Sequence, residues 1–85
     1  MTEPRDIRIK RLKMRSMRRG IKEMDLILQA YAERTLEDMD PATLDLYEAL
    51  LEEHDQDLYK WVTGQIETPP PYGALVDEIA RTFQP

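Results

Sequence analysis

The sequence predicts an all-α fold, a compact single-domain bundle of about five short helices. Three observations carry this. Apolar residues recur at three- and four-residue spacing, as in Met24, Ile27, Leu28 and Tyr31, while no alternating run is long enough for a strand. Glycine and proline divide the apolar stripes into pieces of helical length. A chain of 85 residues forms one small domain, burying about 60 to 65% of its unfolded surface. The domain is expected to be the whole of residues 1–85, with flexible residues at 1–4 and 84–85.

The first helix is expected over residues 5 to 18, with Ile9, Leu12 and Met17 inward and its Arg and Lys side chains largely solvated. Gly20 is expected to stop it, because glycine reaches positive φ just past a helix end without strain. The second helix runs from about Lys22 to Arg34 and buries Met24, Ile27, Leu28 and Tyr31. Thr35 to Met39 is a connector. Asp40 and Pro41 have the N-cap and first-turn chemistry of a third helix, which continues to about His54 and buries Leu44, Tyr47, Leu50 and Leu51.

Asp55 or Asp57 can cap a short fourth helix that Gly64 ends; Leu58, Trp61 and Val62 point inward, and Trp61 is expected to anchor the core. Thr68 to Pro71 reads as a short polyproline spacer. A last helix over about Tyr72 to Phe83 places Leu75, Val76, Ile79 and Phe83 against the bundle.

Composition narrows the function. The absence of cysteine excludes disulfides, thiolate nucleophiles and Cys-ligated zinc. No apolar run approaches the roughly 20 residues that cross a bilayer, so a soluble intracellular chain without membrane insertion is expected. Charge is divided sharply. Residues 1–22 carry nine basic groups against Glu3 and Asp6, a local +7, whereas residues 23–85 carry three basic groups against fifteen acids, a local −12. Such a dipole can steer one face toward an acidic partner. The basic start alone would suit a small nucleic-acid-binding adaptor, but the acidic bulk behind it argues against nucleic acid. An antitoxin-like inhibitory module is a further alternative.

The catalytic inventory is thin. His54 is the only histidine, flanked by Glu52, Glu53, Asp55 and Asp57; a metal site is conceivable there, but such acids at a helix end are usually a solvated face. Ser16 is the only serine and lies on the basic helix, so no Ser-His-Asp set assembles. The three glycines form no phosphate-cradling loop. The chain is therefore expected not to be an enzyme.

One run stands apart: Arg18-Arg19-Gly20-Ile21-Lys22-Glu23-Met24-Asp25. Capping alone could account for it, with arginines at one helix end and carboxylates at the next helix start, each worth about 0.3 to 1 kcal/mol. It also has the makings of a docking surface: bidentate donors, acceptor carboxylates, and at Gly20 no side chain to hold off a partner's backbone.

The same run, continued through Leu26-Ile27-Leu28, resembles the RGxxE signature of the small FAD assembly factors of succinate dehydrogenase, the SdhE family. Leu44 to Leu51, followed by Asp55-Gln56-Asp57-Leu58-Tyr59-Lys60-Trp61 and Gly64, resembles that family's second recurring stretch, so the likeness covers roughly residues 5 to 66. It departs from many relatives in having Met14 and Met17 where an aromatic residue shortly precedes the motif.

The resemblance implies a non-enzymatic five-helix chaperone. It implies that the chain promotes covalent attachment of FAD to a histidine of the succinate dehydrogenase flavoprotein subunit and, in some bacteria, of the fumarate reductase flavoprotein subunit. The docking motif would fall on Arg19, Gly20 and Glu23, with Arg18 and Asp25 as neighbours. No cofactor would be tightly bound, since FAD is attached to the partner. A monomer in a bacterial cytoplasm is the accompanying expectation, with an already processed mitochondrial matrix protein as the other compartment that fits.

Overall fold

The computed structural model describes residues 3–83. Five α-helices follow in order: α1 Arg5–Arg15, α2 Lys22–Thr35, α3 Pro41–Leu51, α4 Asp55–Val62 and α5 Gly73–Phe83, with a 3-10 turn at Leu36–Asp38 after α2. Of the termini expected to be flexible, residues 1, 2, 84 and 85 lie outside the described residues. Glu3 pairs with Arg11, and the Pro4 carbonyl accepts from the Arg8 amide.

Helix α2 is the longest and lies centrally, packing against α1, α4 and α5. Its apolar stripe is the predicted one: Met24, Ile27, Leu28 and Tyr31 are all buried. They meet Leu12 of α1, Leu44, Tyr47 and Leu50 of α3, Leu58 of α4, and Leu75, Val76 and Ile79 of α5 in one core. The radius of gyration is 12.2 Å, close to the roughly 12 Å of a folded domain this long.

The core is anchored by two tyrosines rather than by tryptophan. The rings of Tyr31 and Tyr47, both fully buried, stand 5.7 Å apart in a tilted pair. Trp61 is only half-buried and stacks on Tyr72 at 6.1 Å, at the margin. Met17 and Phe83 also differ from expectation, being 36% and 53% exposed. Both lie at or beyond a helix end, where the periodicity that places inner residues has no further turn to act on.

The helix ends have local causes. Asp40 caps α3, accepting from the Thr43 amide at 2.9 Å, with Pro41 in the first turn. Helix α4 ends as predicted, with Gly64 at φ 79° and its reversed bonds, Gly64 N–H to Trp61 O and Gln65 N–H to Lys60 O. Helix α4 begins differently: His54 occupies the N-cap position without a side-chain bond, and Asp55 turns its carboxylate elsewhere. The three prolines close into a turn, Tyr72 N–H to Pro69 O at 3.0 Å, around a cis Pro70–Pro71 bond, instead of extending as a spacer.

Candidate functional site

Helix α1 stops at Arg15, three residues before its expected end. Ser16 is fully buried; its hydroxyl donates to the Leu12 carbonyl at 2.8 Å and shares a 2.6 Å hydrogen bond with the Tyr47 hydroxyl. This ties the end of α1 to the centre of the core. The chain then reverses at Arg18, whose φ of 58° lies in the left-handed region, and Gly20 is not the residue that makes that reversal. The Arg18 amide donates to Asp25 Oδ1 at 2.8 Å, so a carboxylate in α2 fastens the turn from the far side.

Gly20 answers a different requirement. A Cβ placed there would stand 3.0 Å from Asp55 Oδ2, and that oxygen accepts from the Gly20 amide. Close approach of the turn to the start of α4 is what favours glycine. The other oxygen, Asp55 Oδ1, accepts from Arg19 Nε at 2.7 Å. Arg19 spends three of its four remaining donors on main-chain carbonyls: Arg15 O at 3.1 Å, Leu51 O at 3.1 Å and Glu53 O at 3.4 Å. With side-chain exposures of 12% and 17%, Arg19 and Asp55 form a mostly covered pair that joins the ends of α1 and α3 to the start of α4. The uptake of the Leu51 carbonyl also gives a reason why α3 ends there rather than near His54.

The five residues singled out from the sequence therefore divide. Arg19 and Asp25 are half-buried and engaged within the chain. Gly20, the Arg18 side chain and Glu23 are exposed, and neither charged group has an ion-pair partner among the described residues. Beside them lies an open depression of about 350 Å³ lined by Gly20, Ile21, His54, Asp55 and Gln56. His54 joins no group of three metal-ligating side chains among the described residues. The arrangement offers a rigid turn with bare backbone, one carboxylate and one guanidinium, which suits recognition by hydrogen bonds and charge.

The basic first helix is not the solvated face expected of it. Arg8 pairs with Asp45 at 2.7 Å and with Glu48 at 2.9 Å; Arg11 with Glu3 at 2.8 Å and Glu48 at 3.0 Å; Arg15 with Glu52 at 2.6 Å. Lys13 reaches Glu37, and Arg5 donates to the carbonyls of Glu37 and Met39. The signal was present in the sequence, because Arg8, Arg11 and Arg15 repeat the i, i+3, i+7 spacing of Asp45, Glu48 and Glu52. Facing helices in register turn that match into a ladder. Bonds to Glu3, then to Glu48, hold Arg11 above its ordinary range, and the bond from Arg11, then those from Arg8, hold Glu48 below its own against the opposing effect of burial. A helix committed in this way has few cations left for phosphates, so nothing favours the nucleic-acid adaptor, and no observation favours the antitoxin-like module.

These features define a small all-α domain with a braced, exposed turn between its first two helices. The family Sdh5, described as flavinator of succinate dehydrogenase, matches residues 10–83, and the chain belongs to it. Among similar proteins are those named succinate dehydrogenase assembly factor 2, mitochondrial. That of Drosophila grimshawi is 36% identical over 81 residues, covering 93% of this chain and 55% of the relative. That of Meyerozyma guilliermondii is 38% identical over 83 residues (96% and 62%), and that of Candida glabrata 47% identical over 60 residues (71% and 39%). The chain thus spans about half the length of the curated relatives it matches. These relatives overturn the expected bacterial cytoplasm: they are named as mitochondrial proteins, of a fly and of yeasts. No helix among the described residues is long and apolar enough to cross a membrane.

Proposed function

We propose that this chain is an assembly factor that docks, as a monomer and a single domain over residues 1–85, on the succinate dehydrogenase flavoprotein subunit and promotes its covalent flavinylation. The docking surface comprises Arg18, Arg19, Gly20, Glu23 and Asp25. The observation that carries the reading is the braced turn at Gly20, exposed beside Glu23, in a member of the flavinator family. By the same chemistry the client range extends to the fumarate reductase flavoprotein subunit.

The chain contributes no catalytic side chain in this account. It holds a mobile part of the immature subunit in one orientation and so presents the acceptor histidine to the flavin, while the subunit's own groups form the bond. Orientation of this kind is worth several kcal/mol, up to roughly 7 to 11 in favourable intramolecular cases. FAD remains with the partner. A tight flavin site on this chain is disfavoured by its donor set, since of the guanidinium groups around the turn Arg15 and Arg19 are committed to Glu52 and Asp55, leaving Arg18 alone for a pyrophosphate.

The test is flavin fluorescence in a denaturing gel after co-expression of the flavoprotein subunit with the chain, without it, with Gly20→Arg, or with Glu23→Ala. Only covalent flavin survives the gel. A bright band with the unaltered chain and dim bands in the other three lanes is expected, with both variants retaining their helical circular dichroism. Equal brightness in all four lanes would overturn the assembly role.

A further inference from the structure

Arg19 belongs to the turn offered to a partner, but its surroundings give it other work. Arg19 makes four hydrogen bonds, all inside the chain, and is the more covered member of its ion pair. Asp55 engages both neighbours at once, taking the Arg19 guanidinium on Oδ1 and the Gly20 amide on Oδ2. One carboxylate therefore fixes two consecutive residues of the turn against the first residue of α4.

On the docking reading above, we infer that Asp55 is the positioning residue of the docking surface and that Arg19 acts through it rather than by touching the partner. The Asp55 carboxylate draws the Gly20 backbone down onto α4, and Arg19, bonded to the ends of α1 and α3, keeps that carboxylate in place. A Cβ at position 20 would crowd that carboxylate, standing 3.0 Å from Oδ2, and would push it outward by a few tenths of an ångström. What remains for the partner is the outward edge of the Gly20–Ile21 backbone, the Arg18 head group and Glu23. This explains why an arginine with four of its five donors engaged within the fold sits inside a recognition motif. It also explains why the Asp55 segment, distant in sequence, accompanies the motif: the two are halves of one clamp.

A double-mutant cycle on partner affinity separates the two roles of Arg19, because groups acting through a shared contact do not add. The dissociation constant for the succinate dehydrogenase flavoprotein subunit would be measured with the unaltered chain, Arg19→Gln, Asp55→Asn and the double variant. Each single change is expected to weaken binding about tenfold, and the double change also about tenfold rather than the hundredfold of independent contacts. Additive weakening would mean that Arg19 meets the partner itself and would overturn the inference. Failure of the unaltered chain to bind at all would instead overturn the docking reading on which it rests.

The free chain supplies a second readout. The Gly20 amide proton is expected downfield and protected from exchange, returning toward its unbonded position in Asp55→Ala, while amides of α2 and α5 keep their shifts. A Gly20 proton unmoved by Asp55→Ala would sink the clamp whatever the binding data showed.

Discussion

Glu48 receives two arginines, one on each oxygen: Oε1 accepts from Arg8 Nε and Nη2 at 3.1 and 2.9 Å, and Oε2 accepts from Arg11 Nη1 at 3.0 Å. An isolated exposed ion pair contributes little, but this carboxylate is 29% exposed and sits at the centre of a ladder. Glu48→Gln would leave an amide group facing guanidinium donors. It is expected to cost about 1 kcal/mol, lowering Tm by roughly 4 to 8 °C in a domain of this size. Thermal unfolding by circular dichroism measures it, and 1 M salt is expected to shrink the difference.

The same carboxylate sets part of the acid response. Its hydrogen bond to Arg11, then those to Arg8, hold the folded-state pKa below the ordinary 4.5, while burial opposes them. The unfolded chain therefore takes up this proton more readily than the folded one. The contribution is present in full above pH 4.5 and is lost as pH falls below that value through the folded-state pKa. In a series of melts from pH 6 down, Glu48→Gln should decline less steeply below pH 4.5 than the unaltered chain. Parallel curves would show that the ladder does not report on this proton.

Tyr47 contributes on the alkaline side, as do Tyr31 and Tyr72, whose phenols burial also raises. Burial pushes the Tyr47 phenol up from 10 to about 12, with the bond to Ser16 and the charge of Arg19 acting in the opposite direction. The unfolded phenol ionises first, so the stabilisation is complete below pH 10 and is lost as pH rises from 10 through about 12. Tyr47→Phe removes that loss together with the 2.6 Å bond to Ser16. At neutral pH it is expected to cost about 0.5 to 1.5 kcal/mol, because Ser16 keeps its bond to Leu12 O.

Arg18 is the one non-glycine residue with positive φ among those described. A side chain in that region costs about 1 kcal/mol, of which glycine's greater freedom in the unfolded chain returns part. Arg18→Gly is thus expected to leave stability unchanged or raise it by up to about 1 kcal/mol, since the bond from its amide to Asp25 survives. A melting temperature several degrees lower would mean that the side chain holds the turn.

Much was legible in the sequence because it is local. Spacing placed Met24, Ile27, Leu28 and Tyr31 inward, Asp40-Pro41 opened α3, Gly64 closed α4, and the RGxxE run with its second stretch led to the family. These signals are read within one or two helical turns, so periodicity and dihedral preference suffice to interpret them. Trp61 shows the limit: an inward phase along α4 gave its direction, but depth depended on Tyr72 and the proline turn arriving to stack beside it.

What the sequence by itself determined, then, is the helical class, the positions of most breaks, the core face of each helix, and the family to which the chain belongs. Only the tertiary structure decided which charges are spent inside the molecule. Arg8, Arg11 and Arg15 meet acids 37 to 40 residues away, and Arg19 and Gly20 meet Asp55 at separations of 36 and 35. The physical reason is that an ion pair is fixed by distance in space. Matching charge spacing along two helices does not by itself tell a partner from water, until packing of the apolar faces brings the helices together and sets their register.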